Sequence, residues 1–162
     1  MKILAFSDLH RDLDQAARLT EMSRQADVVI GAGDFASIHQ GLEETIDALA
    51  GIETPTVLVP GNNETLDALK EATAGWSAAT VLHGEGIELD GKTFYGLGGG
   101  IPVTPWDRRF DLEEADAGDA IHLERHEQAV PVDRAVLVER VLDAQAYPLA
   151  FLEADQWTRH GA

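Results

Sequence analysis

Val28-Val29-Ile30-Gly31-Ala32-Gly33-Asp34 is the stretch that decides the fold. Three β-branched residues in succession read as a strand buried on both faces. The run stops at Gly31-Ala32-Gly33, whose glycines let the backbone turn sharply before Asp34. The same arrangement stands on both sides of it. Upstream, Lys2-Ile3-Leu4-Ala5-Phe6-Ser7 leads into Asp8-Leu9-His10. Downstream, Thr56-Val57-Leu58-Val59 leads through Pro60-Gly61 into Asn62-Asn63-Glu64. Between the strands, Leu13, Ala16, Ala17, Leu19 and Thr20 recur at helical spacing and predict a helix over 12–25. Further helices are expected over 41–50 and 64–74. Strands alternating with helices at this spacing imply right-handed crossovers and a parallel sheet.

Beyond 74 the pattern becomes β-rich. Thr80-Val81-Leu82, Ile87-Glu88-Leu89 and Thr93 to Leu97 read as short strands, the last two joined by an Asp90-Gly91 hairpin turn. Gly98-Gly99-Gly100-Ile101-Pro102 follows as a tightly turned segment. The fold class is therefore α/β, a mixed β-sheet with flanking helices. Near Arg108 the character changes. Charged residues are scattered without period to Gln128, and Val132 to Tyr147 reads as one amphipathic helix. The expected organisation is residues 1–107 as the main domain, with 108–162 a divergent or truncated segment of the same domain.

Length and composition bound the rest. At 162 residues, 44% hydrophobic and 25% charged, the chain suits one globular domain with a real core. It has no cysteine, which excludes disulfides, zinc–thiolate sites and cysteine nucleophiles, and fits a reducing compartment. The apolar run at the start is too short for a signal peptide, and no stretch approaches a membrane span. A soluble cytoplasmic protein is expected. Its 29 acidic and 12 basic residues give a net charge of -17, which repels nucleic acid at ordinary salt. The excess runs along the whole chain, so an acidic proteome explains more of it than a cation site does.

The three strand ends carry the chemistry. Neighbouring C-termini of a parallel sheet lie side by side, and ligands bind beyond them. Asp8, His10, Asp34 and Asn62 would then converge, offering carboxylate, imidazole and amide donors suited to Mn, Fe, Zn or similar divalent ions. Each residue alone is better read as a strand-end cap or turn former. It is the set, in register, that points to metal.

Asp8-x-His10, Gly33-Asp34 and Gly61-Asn62-Asn63-Glu64 resemble, in order and position, the first three motifs of the calcineurin-like metallophosphoesterase family. The segment Gly96 to Pro102 is similar to one branch of it. The resemblance covers residues 1 to about 107. It implies an αββα sandwich, two divalent metal ions, and hydrolysis of small phosphomonoesters or phosphodiesters by a metal-activated water. Asp8 and His10 would hold the first metal, Asp34 would bridge, Asn62 would hold the second, and Asn63 would stand at the catalytic position.

Two features depart from that pattern. The family usually has histidine where this chain has Asn63, and an amide cannot serve as a general acid. The family also closes its site with later histidines in a Gly-His-x-His segment, and no Gly-His occurs here. His122, His126 and His160 follow no apolar strand. The second sheet layer is thus expected to be incomplete. The tail reads either as a natural short C-terminus or as out-of-frame translation, and an alternative frame after codon 108 encoding Gly-His-x-His would distinguish the second. Functionally the alternatives are a metal-dependent phosphoesterase and a non-catalytic metal-binding remnant or regulatory module. A homo-oligomer could supply missing ligands.

The remaining candidates have bland readings beside functional ones. Glu64 is a first-turn acid on the next helix or a support for the ligands, with equal weight. His39 reads as a loop residue and His83 as a turn residue. His122 and His126, spaced i, i+4, read as a solvated helix face, and Trp106 as a packing residue.

Overall fold

The structure is a computed structural model that describes residues 1–100, 135–139 and 150–153. Four parallel strands form the centre of the first sheet: β1 (Lys2–Phe6), β2 (Val28–Ala32), β3 (Thr56–Val59) and β4 (Ala79–Val81). Helices α1 (Leu13–Ser23), α2 (Leu42–Leu49) and α3 (Leu66–Ala72) connect them in turn. β5 (Glu85–Leu89) and β6 (Lys92–Leu97) make an antiparallel hairpin. Its turn residues Asp90 and Gly91 have φ of 50° and 73°, the positive pair that a two-residue turn between twisted strands requires.

The late strands correct one expectation. Ala135–Glu139, read above as part of a helix over 132–147, is β7, and it pairs in parallel with β6. Ala-Val-Leu-Val is a continuous apolar run, and two valines favour a pleated strand over a helix. Ala150–Glu153 is β8, antiparallel to β1. The first sheet therefore runs β4-β3-β2-β1-β8 and the second β5-β6-β7. The segment after residue 108 contributes a strand to each sheet.

Side chains on the central strands alternate between two cores. Leu4, Phe6, Val29 and Leu58 face the helices and pack with Ala16, Leu19, Ile46, Leu49 and Leu69. Ile3, Val28, Ile30, Val57 and Val59 face the other way and pack with Leu82, Phe94, Ile87 and Leu89. Both faces are covered, which is why these strands read as unbroken apolar runs. Each fully buried Leu or Ile contributes roughly 1.5–3 kcal/mol. On α1 the buried stripe is Ala16, Leu19 and Ser23, while Leu13 is 38% exposed. Asp12 caps α1 by accepting from Gln15 N at 2.9 Å, and Thr65 caps α3 by accepting from Ala68 N at 3.2 Å. Among the described residues no helix is long and apolar enough to cross a membrane.

Candidate metal centre

Beyond the sheet, the segments leaving β1 and β2 stay laced together. Asp8 N donates to Gly33 O (3.1 Å), His10 N to Asp34 O (3.0 Å) and Arg11 N to Phe35 O (3.1 Å). One ligand atom each from Asp8, His10 and Asp34 then lies within 4.8 Å of the others. All three residues hold left-handed backbone, with φ of 58°, 44° and 57°. Such a conformation costs a non-glycine residue about 1–2 kcal/mol, and such strain gathers at functional sites.

The ring of His10 is aimed by the loop that follows β2. Its Nδ1 lies 3.2 Å from Ala36 O, an atom that only accepts, so Nδ1 carries the proton. Nε2 points the other way, 3.6 Å from Asp8 Oδ1 and 3.7 Å from Asp34 Oδ2. Donors about 2.0–2.2 Å from one ion sit roughly 3.0–3.6 Å from each other, so small closure of this triad fits a divalent ion. The donor set suits Mn, Fe or Zn. The Asp34 side chain is 2% exposed, those of Asp8 and His10 33% and 44%. The centre is thus closed behind Asp34 and open to solvent on the other side.

The third strand end joins through Asn63. Its Nδ2 donates to Asp34 Oδ2 at 2.7 Å and reaches Asn62 Oδ1 at 3.2 Å. One amide group therefore places the Asn62 oxygen beside the Asp34 carboxylate. Asn63 N donates to Asp34 Oδ1 at 3.2 Å, and Asn63 Oδ1 accepts from Ile38 N at 3.0 Å. Asn62 and Asn63 are both buried.

Glu64 is the residue whose role the sequence left undecided. It precedes the cap of α3, so it is no first-turn acid. Its side chain turns inward and is 2% exposed. Oε1 accepts from Asp34 N and from Gly61 N, both at 2.7 Å, and Oε2 accepts from Ala36 N at 3.1 Å. One carboxylate thus ties the loop after β2 to the loop after β3. Burial pushes its carboxyl up from the ordinary range, against the opposing pull of those N–H groups. The two loops touch backbone to backbone. A Cβ on Gly33 would stand 2.5 Å from Gly61 Cα, and one on Gly61 would collide with Asp34 Oδ1 and its backbone nitrogen.

Among the described residues, the other sequence candidates are not part of the Asp8–His10–Asp34 cluster. His39 is exposed, and its backbone N–H donates to Asn63 O at 3.1 Å. His83 sits in the bend after β4, as expected of a turn residue, and its Nδ1 accepts from Gly98 N at 3.2 Å. Next to that contact, Gly99 N donates to Pro60 O at 2.8 Å and so braces the third motif from the second sheet. Trp106, His122, His126 and His160 lie outside the described residues.

Comparison with known proteins identifies the family and the fold. The family model of the calcineurin-like phosphoesterase superfamily domain matches residues 1–130, and the chain belongs to that superfamily. A solved structure, TT1561 of Thermus thermophilus, is 16% identical with a TM-score of 0.69, covering 84% of this chain and 65% of that one. The chain thus spans just under two thirds of that relative, and the likeness is one of fold. A second solved structure, 19% identical with a TM-score of 0.66, covers 84% of this chain and 67% of its own. No curated protein matches the chain.

Proposed function

We propose that this calcineurin-like phosphoesterase-superfamily chain is a metal-dependent hydrolase of phosphomonoesters or phosphodiesters. The observation that carries the reading is the convergence of Asp8, His10 and Asp34 from two adjacent strand ends. Asp8 and His10 Nε2 would hold one divalent ion, Asp34 would face both positions, and Asn62 Oδ1 would serve the second. Bound ions of this kind supply Lewis-acid polarisation of the phosphoryl group and a water of lowered pKa.

The chain's own contribution is placement. Glu64 and Asn63 hold Asp34 and Asn62 in place through hydrogen bonds within the chain, which limits the reorganisation that binding would need. Ala36 O fixes the His10 tautomer that leaves Nε2 free to coordinate. Asn63 can donate a hydrogen bond but holds no proton to give a leaving group. Esters whose leaving group departs without protonation, such as nitrophenyl esters, are therefore the better substrates.

A second reading draws on the same residue. Asn63 is engaged at Asp34, Asn62 and Ile38, which suits a cation-binding module without turnover. Hydrolysis of bis(p-nitrophenyl) phosphate and p-nitrophenyl phosphate with added manganese separates the two. The native chain should exceed Asp34→Ala by at least about a hundredfold. Equal rates for both proteins would refute the phosphoesterase reading.

A further inference from the structure

The loop after the second strand ends in a turn whose sequence is wrong for its shape. Ser37 N donates to Gln40 O at 3.0 Å and Gln40 N to Ser37 O at 3.1 Å. Ile38 and His39 form the two-residue tip, with φ of 49° and 58°. Two positive φ values in succession favour Asn-Gly, and a β-branched residue there is an outlier. This chain nevertheless puts isoleucine in that position and leaves it 68% exposed. Local stability and apolar burial would both be better served by another residue.

The tip is fastened to the metal centre. Asn63 Oδ1 accepts from Ile38 N at 3.0 Å and Asn63 O accepts from His39 N at 3.1 Å. The same Asn63 side chain donates to Asp34 Oδ2 at 2.7 Å. A single amide thus spans the gap between the central carboxylate and the backbone of Ile38. Strain held this firmly beside a site is characteristic of function.

We propose that Ile38 forms an apolar wall beside the metal centre and selects phosphoryl ligands that carry an apolar or aromatic group. The inference rests on the metal-centre reading and adds the substrate class. An aryl or similar group on phosphorus covers Ile38, removing from water an apolar side chain that is otherwise exposed.

Calorimetry on the manganese-loaded protein tests this without requiring turnover. Phenylphosphonate and methylphosphonate are compared on the native chain and on Ile38→Asn, whose new residue suits the turn. The native chain should prefer phenylphosphonate by about tenfold, and the variant should reduce the preference to about twofold or less. The melting temperature of Ile38→Asn should rise, since strain is relieved, which a residue retained for packing would not show. A native preference near one, or a preference unchanged in the variant, would overturn the inference. Manganese binding with no binding of either phosphonate would overturn it too. Absence of manganese binding would overturn the metal-centre reading itself, and this inference with it.

Discussion

Replacing Glu64 by glutamine changes one oxygen into an NH2 group and almost nothing in volume. Oε1 accepts the two short bonds, from Asp34 N and Gly61 N, and Oε2 accepts the third from Ala36 N. A glutamine carbonyl can keep the first two. Its NH2 then faces the Ala36 N–H, donor against donor, and one buried N–H loses its acceptor. That loss is worth about 1–3 kcal/mol, and two bonds that were charge-assisted become neutral. Relief from burying a carboxylate, whose pKa burial has raised, offsets part of this. The net expectation is roughly 1–3 kcal/mol lower stability, read from the urea midpoint of the metal-free protein at pH 7.5. Manganese affinity, measured by calorimetry, should fall about 10- to 100-fold because Asp34 and Asn62 sit on the loops that Glu64 joins. A variant within about 0.5 kcal/mol of the native chain, with unchanged manganese affinity, would refute the clamp.

Four further substitutions probe other parts of the structure. Gly61→Ala places a methyl on Asp34 Oδ1, so it should cost more than about 2 kcal/mol and abolish manganese binding. Gly75→Ala, where an added Cβ meets nothing within 4 Å, should be neutral or slightly stabilising in the same denaturation assay. Asn63→Asp sets a second carboxylate against Asp34 Oδ2, so the metal-free protein should melt lower and saturating manganese should recover much of the loss. At His83, burial first and the Lys70 ammonium second hold the imidazole below its ordinary value of 6.5. The unfolded chain then takes up the proton first as pH falls. The resulting stability is full above about 6.5 and is lost as pH drops towards the lower folded value. His83→Asn keeps an acceptor for Gly98 N but does not titrate. Between pH 7.5 and 5 its denaturation midpoint should therefore decline less than the native one.

The parts of this fold that are legible in the sequence are those where pattern and burial coincide. Val28-Val29-Ile30 and Val57-Leu58-Val59 are apolar at every position because helices cover one face and a second sheet the other. Asp8, His10 and Asp34 are readable as a set because parallel strands put their C-terminal ends side by side. Ala135-Val136-Leu137-Val138 reads as helix although it is strand, because a four-residue apolar run satisfies both periodicities. Glu64 is ambiguous until its neighbour is considered. Thr65 is a preferred cap, and a cap at 65 leaves Glu64 before the helix, able to turn inward. Ile38 gives no signal, since nothing in a propensity scale expects isoleucine at a left-handed turn tip. The Asn63 bonds to Asp34 and Ile38 join residues 25 and more positions apart, and only the folded chain shows them.

Crystals grown with manganese and measured at its absorption edge test the central claim most directly. An anomalous peak should stand about 2.0–2.3 Å from an Asp8 oxygen, His10 Nε2 and an Asp34 oxygen. A weaker or second peak should lie on the Asn62 side of Asp34. No peak among these residues, or a peak only elsewhere on the acidic surface, would contradict the metal centre.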